Sequence, residues 1–121
     1  IAELDGGKIT SAVLDTRWLG ISQATLPELV GGDARTNAKT ITQILAGTET
    51  GPKRDLVVVN AAAGFVVAGL ANEMNVGIAM AREEIDSGRA LEKLQALQDY
   101  RPSPRPAGLV RWWKYSTHGL L

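Results

Sequence analysis

The stretch "GPKRDLVVVNAAAGFVVAG", residues 51–69, limits the folds open to this chain more than any other. From Leu56 to Ala71 almost every residue is apolar, and only Asn60, Gly64 and Gly69 interrupt the run. Val57-Val58-Val59 alone would suit a buried strand, but the whole run exceeds the usual strand length of about 3–10 residues. Pro52 stands where the first turn of a helix tolerates proline. The expectation is therefore a helix apolar on nearly all sides, buried by its neighbours, with Val59 in its centre. Ala61, Ala62, Ala63, Gly64, Ala68 and Gly69 would let another backbone approach closely. No window holds the 18 or so uninterrupted apolar residues of a membrane span, so a soluble protein is expected.

The segments on either side supply partners for such a helix. Asp5-Gly6 lies between two runs that can be extended, and Asp-Gly suits the positive backbone angles of a tight turn. This predicts a hairpin of Ile1–Leu4 and Lys8–Leu14. A loop through Trp18, Gly20 and Pro27 comes next. Ala34, Ala38, Ile41, Ile44 and Leu45 then recur at helical spacing until Gly47, which predicts an amphipathic helix of about three turns. Asn72 is placed to cap a helix running to Asp86, with Gly88 ending it, and Leu91, Leu94 and Leu97 mark a last short helix.

With 121 residues, 45% of them hydrophobic and 21% charged, the chain can build one modest core. It has no cysteine and only His118, so disulfides, cysteine-bound zinc and a histidine-rich metal site are excluded. A reducing cytoplasm suits that composition. The zero net charge hides an asymmetry: residues 1–100 hold nine Lys and Arg against thirteen Asp and Glu, while residues 101–121 hold Arg101, Arg105, Arg111 and Lys114 and no acid. Pro102, Pro104 and Pro106 precede Trp112, Trp113 and Tyr115 in that tail, which sets a boundary near Tyr100. The tail is read first as an appended, frame-shifted or disordered end, and after that as a basic aromatic binding peptide. The acidic body argues against a nucleic-acid binder.

Three places invite a functional reading. Gly31-Gly32-Asp33 precedes a helix, as a phosphate-binding loop would, but the Asp33 carboxylate would sit where the anion should be. An N-cap Asp preceded by turn glycines is the favoured reading. Asn60 is expected to bond a neighbouring loop rather than a ligand. The adjacent acids Glu83-Glu84 are expected on the solvated face of a helix.

The segments "LVGGDARTNAKTITQILAG", "GPKRDLVVVNAAAGFVVAG" and "AMAREEIDSGRALEKLQAL", with the opening "AELDGGKI" and "LDTRWLGI", resemble in order and spacing the C-terminal region of the anthranilate phosphoribosyltransferase family. The resemblance covers about residues 1–100. It implies an α/β fold: residues 1–100 would be the C-terminal part of the nucleoside phosphorylase/phosphoribosyltransferase α/β domain, a β-hairpin followed by packed helices. The family's proteins have a small helical domain as well. They are magnesium-dependent glycosyltransferases of tryptophan biosynthesis, joining anthranilate to phosphoribosyl pyrophosphate with release of pyrophosphate. The family's Gly-Thr-Gly-Gly-Asp pyrophosphate loop, its Lys-His-Gly-Asn segment and its Asp-Glu magnesium pair do not occur in this sequence. Val30-Gly31-Gly32-Asp33 only echoes the first of these. No catalytic, substrate-binding or metal residue therefore carries over.

The resemblance implies a C-terminal portion that is inactive alone and binds no magnesium by itself, with the N-terminal part of the enzyme as its partner. Phosphoribosyl pyrophosphate and anthranilate would bind the full enzyme, and neither nucleic acid nor membrane is an expected partner. A related phosphoribosyltransferase or nucleoside phosphorylase with another acceptor, and a non-catalytic scaffold or interaction module, stay open as alternatives. Oligomeric state is also left open.

Overall fold

The computed structural model describes residues 1–101. A two-stranded antiparallel hairpin leads into five helices: β1 (Ala2–Asp5), β2 (Lys8–Ser11), α1 (Leu26–Leu29), α2 (Ala34–Leu45), α3 (Pro52–Val67), α4 (Met74–Asp86) and α5 (Arg89–Asp99), with a 3-10 turn at Thr16–Leu19 before α1. This is the mixed α/β arrangement that the sequence predicts, a hairpin followed by packed helices. The reading of residues 101–121 as a separate tail falls, beyond Arg101, outside the described residues.

The hairpin turns one residue later than expected. Asp5 is the last residue of β1 and pairs with Lys8, so the two-residue loop is Gly6-Gly7, with φ of +53° and +80°. Two successive positive φ values match the right-handed twist of the strands, and glycine adopts them without strain. The ladder ends at Ala2 opposite Ser11, with Ile1 and Ala12 exchanging two more bonds of 2.8 and 3.0 Å, so Val13 and Leu14 lie past the pairing. Leu4 and Ile9 face each other across the strands, and both are exposed.

Between hairpin and helices, Asp15 organises the 3-10 turn. Its carboxylate accepts from the Arg17 backbone N–H at 3.0 Å and from the Arg17 guanidinium at 3.0 and 2.7 Å. The turn buries Leu19, and Ile21 follows it into the core. The short helix α1 stands where the sequence predicts only loop. Its signal is Thr25-x-x-Glu28, in which the Thr25 backbone N–H donates to Glu28 Oε2 at 2.7 Å, and Pro27 fits the first turn.

The core forms where α3 crosses α4. Val58 and Ala62, one turn apart, are both 0% exposed, and Ile44, Ile78, Ala81 and Ile85 close around them with Leu19 and Ile21. The two helices approach so closely that a Cβ on Gly77 would stand 2.7 Å from the Ala62 carbonyl oxygen. Only glycine fits there, because the obstacle is backbone and cannot swing aside.

Several expectations need correction. α3 buries one stripe only: Val59 is half-buried, Leu56 is exposed and Val67 is 89% exposed, so the helix is not covered on every side. It ends at Val67 rather than Ala71, because Gly69 turns into the left-handed region at φ +70° and donates back to the Val66 carbonyl. Asn72 does not cap α4. The first intrahelical bond runs from the Gly77 N–H to the Glu73 carbonyl, which makes Glu73 the capping residue, one position later and without a side-chain bond. Leu97 is 68% exposed on α5, outside the core, whereas Leu91 and Leu94 are half-buried. Gly88, at φ +81°, follows the end of α4 and caps the start of α5. Among the described residues no helix is long and apolar enough to cross a membrane.

Candidate functional site

The Gly31-Gly32-Asp33 loop is built as a closed helix entrance. Asp33 Oδ1 accepts the Thr36 backbone N–H at 2.8 Å, so the carboxylate lies over the first turn of α2, where the helix dipole favours negative charge. Asn37, one turn into the helix, reaches back to Gly32. Its Oδ1 accepts the Gly32 N–H at 2.8 Å and its Nδ2 donates to the Gly32 carbonyl at 2.9 Å. A Cβ on Gly31 would stand 2.5 Å from Asn37 Oδ1, and one on Gly32 3.0 Å from the Thr36 methyl group. Gly31 therefore makes room for the Asn37 clamp, and Gly32 for the Thr36 side chain. A phosphate loop needs free backbone donors converging on an anion; here Asn37 takes the Gly32 donor and a carboxylate occupies the helix start.

Hydrogen bonding from Thr36, its backbone N–H first, holds the Asp33 carboxyl below its ordinary 3.8. A lowered folded-state pKa favours folding above the unfolded value, and that benefit is lost as pH falls through the folded value. Asp33→Asn is expected to leave the melting midpoint nearly unchanged at neutral pH, because Asn caps well, while Asp33→Ala lowers it by a few degrees. The gap between wild type and Asp33→Ala should shrink below pH 3.8. Thermal melts of the three proteins at neutral and acidic pH check this. Phosphate or pyrophosphate binding that tightens on removal of the carboxylate would contradict the cap.

Asn60 turns to its own helix rather than to a loop: Nδ2 donates to the Leu56 carbonyl at 2.7 Å, four residues back, and the side chain stays exposed. This bond satisfies it locally. Glu83 and Glu84 lie on α4 as expected, and both face Arg89. Glu84 takes the guanidinium in two bonds of 3.0 Å, and Glu83 lies 3.8 Å from it. The Arg89 bonds hold the Glu84 carboxyl below its ordinary range. The sequence reading missed Asn37, whose signal is an Asn four residues after a capping Asp, and the Arg54–Asp86 pair at 2.7 Å that ties the start of α3 to the end of α4. Among the described residues no three His, Cys, Asp or Glu side chains converge as metal ligands.

Residues 1–91 match the family described as "Glycosyl transferase family, a/b domain". The chain belongs to that glycosyl transferase family. Within it, the chain is 43% identical over 99 residues to a protein of Haloferax volcanii, 46% over 97 residues to one of Mesorhizobium japonicum and 45% over 100 residues to one of Methanococcoides burtonii. These alignments take in 82%, 80% and 83% of this chain, and 30%, 29% and 28% of the respective relatives. Each relative is named anthranilate phosphoribosyltransferase. The chain therefore spans about three tenths of the length of the curated relatives it matches. The family match covers the hairpin, α1 to α4 and the first turn of α5.

Proposed function

We propose that this chain is the C-terminal portion of an anthranilate phosphoribosyltransferase, which transfers the phosphoribosyl group of phosphoribosyl pyrophosphate to anthranilate and releases pyrophosphate in tryptophan biosynthesis. The observation that carries the proposal is the 46% identity over 80% of this chain to a relative bearing that name, of which only 29% is matched. The exposed Leu4 and Ile9 pair and the exposed Leu56 and Val67 of α3 support it, as apolar surface that the remainder of the enzyme would cover. Cytoplasmic residence goes with this reading.

In this proposal the chain supplies packing and the remaining portion supplies the chemistry. The transfer requires two substrates held in line and positive charge to meet the departing pyrophosphate. Among the described residues no three acids converge, and the adjacent acids Glu83 and Glu84, facing the Arg89 guanidinium, do not fit magnesium. Purified residues 1–121 with anthranilate, phosphoribosyl pyrophosphate and magnesium are expected to form no product above the uncatalysed background. Product fluorescence is the readout. Steady turnover by the isolated chain that survives removal of host enzyme would place catalytic groups in this chain and defeat the proposal.

A further inference from the structure

Residues 1–13 are all exposed, so nothing among the described residues covers either face of the hairpin. The two faces differ in kind. The register sets Leu4 opposite Ile9 and Ala2 opposite Ser11 on one face, and Glu3 opposite Thr10 and Asp5 opposite Lys8 on the other. Leu4 and Ile9 are 70% and 71% exposed, whereas the second face is polar throughout, with opposite charges directly across the strands at Asp5 and Lys8. Antiparallel strands patterned in this way carry water on the polar face and a layer of protein on the apolar one.

The edges are unfinished as well. An antiparallel pair alternates between opposed residues that exchange two backbone bonds and opposed residues that exchange none. Ile1 and Ala12 exchange two, at 2.8 and 3.0 Å, so the alternation gives bonds to Glu3 with Thr10 and to Asp5 with Lys8. The N–H and C=O groups of Ala2 and Leu4 on β1, and of Ile9 and Ser11 on β2, then point away from the hairpin. Among the described residues the sheet has no third strand to meet them. None of these four residues is a charge or a proline, the devices with which natural sheets guard an exposed edge. Two strands alone are marginally stable in water, and a third strand or an apolar layer beneath steadies them. Only about three tenths of each relative is matched by this chain, so the enzyme has a larger portion able to supply both.

We propose that the hairpin is part of a larger sheet: an extended strand of the enzyme's remaining portion pairs along its free edge, and the face of Leu4 and Ile9 rests on apolar side chains of that portion. The inference rests on the enzyme reading above and deepens it by naming how the two portions join. Main-chain bonds hold the added strand, and the apolar face fixes its register.

The test compares the isolated chain, residues 1–121, with the same full chain fused in place of the matched segment of the Mesorhizobium japonicum relative. Backbone hydrogen exchange at Leu4, Ile9 and Ser11 is the readout. In the isolated chain these amides are expected to exchange as open, solvated groups at every concentration. In the fusion, Leu4 on one edge or Ile9 and Ser11 on the other should slow by more than about tenfold. A double variant reads the face. Leu4→Lys with Ile9→Glu sets opposite charges across the strands, so the hairpin itself is not penalised. It is expected to leave the melting midpoint of the isolated chain nearly unchanged, since both positions are in water there, and to lower that of the fusion by several degrees. Unslowed exchange in a fusion that turns over would overturn the inference and leave the enzyme reading standing; slowed exchange in a fusion without turnover would support it and count against the enzyme reading. Slowing in the isolated chain that disappears on dilution, which reports edge pairing between two copies, or a fusion whose melting ignores the double variant, would also overturn it.

Discussion

Val58→Asp is expected to abolish cooperative folding of residues 1–121. Val58 is 0% exposed, on the face of α3 that meets α4, within a cluster of Leu19, Ile21, Ile44, Ala62, Ile78, Ala81 and Ile85. None of these side chains offers a hydrogen bond or a counter-charge. An unpaired buried carboxylate costs several kcal/mol even after shifting its pKa, against a total stability of about 5–15 kcal/mol for a whole domain. The chain cannot retreat from the new group, because the backbones of Gly77 and Ala62 are already in contact. Val59→Asp should be far milder. Val59 is half-buried beside a shallow pocket with Leu29 and Pro52, and a carboxylate there reaches water. Thermal melts followed by circular dichroism separate the two. A Val58→Asp protein that melts cooperatively at the wild-type midpoint would mean that α3 does not pack on α4 by this face.

The difference between Val58 and Val59 shows where the sequence stops informing. In α2 the apolar residues Ala34, Ala38, Ile41, Ile44 and Leu45 recur at helical spacing, yet the structure buries only Ile44, leaves Leu45 half-buried and leaves Ile41 48% exposed. In α3 three consecutive valines precede Asn60, so periodicity establishes a helix without saying which valine points inward. That choice is made by α4, whose Gly77 admits close contact at Ala62 and so turns Val58, one turn earlier, into the core. The same limit explains the helix ends. Asn72 has good capping chemistry, yet Gly69 ends α3 early and the intervening loop delivers Glu73 to the cap position. α1 was legible in Thr25-x-x-Glu28, but its single turn lacks any hydrophobic period to draw attention to it.

The candidate site was partly legible in the same way. An Asp before a helical pattern announces a cap, and Asp33 does accept the Thr36 N–H. The reason for two glycines before it was not legible. It depends on Asn37 folding back against Gly31 while it bonds the Gly32 backbone, and on Thr36 crowding Gly32, contacts made only once α2 exists. An open groove between α3, α4 and α5 was invisible for a related reason: Phe65, Ile85 and Ala96 are far apart in sequence, and only the packing of three helices brings them to one surface.

The second large effect concerns activity. If the chain serves as the packing portion of an anthranilate phosphoribosyltransferase, it should work when joined to the portion that holds the substrates. Residues 1–91, the stretch matched by the family, would replace the corresponding segment of the Haloferax volcanii relative, to which the chain is 43% identical. More than half of the aligned positions differ, so some contacts between the two portions will be imperfect. Each 1.4 kcal/mol of misplaced transition-state stabilisation costs about tenfold in rate, and the chimera is expected to fall within one or two such factors of its parent. The measurement that tests this account most directly is the steady-state rate of phosphoribosyl-anthranilate formation by the purified chimera, followed by product fluorescence and accompanied by a melting curve. The account predicts cooperative melting and magnesium-dependent turnover; a chimera that melts cooperatively and forms no product would contradict it.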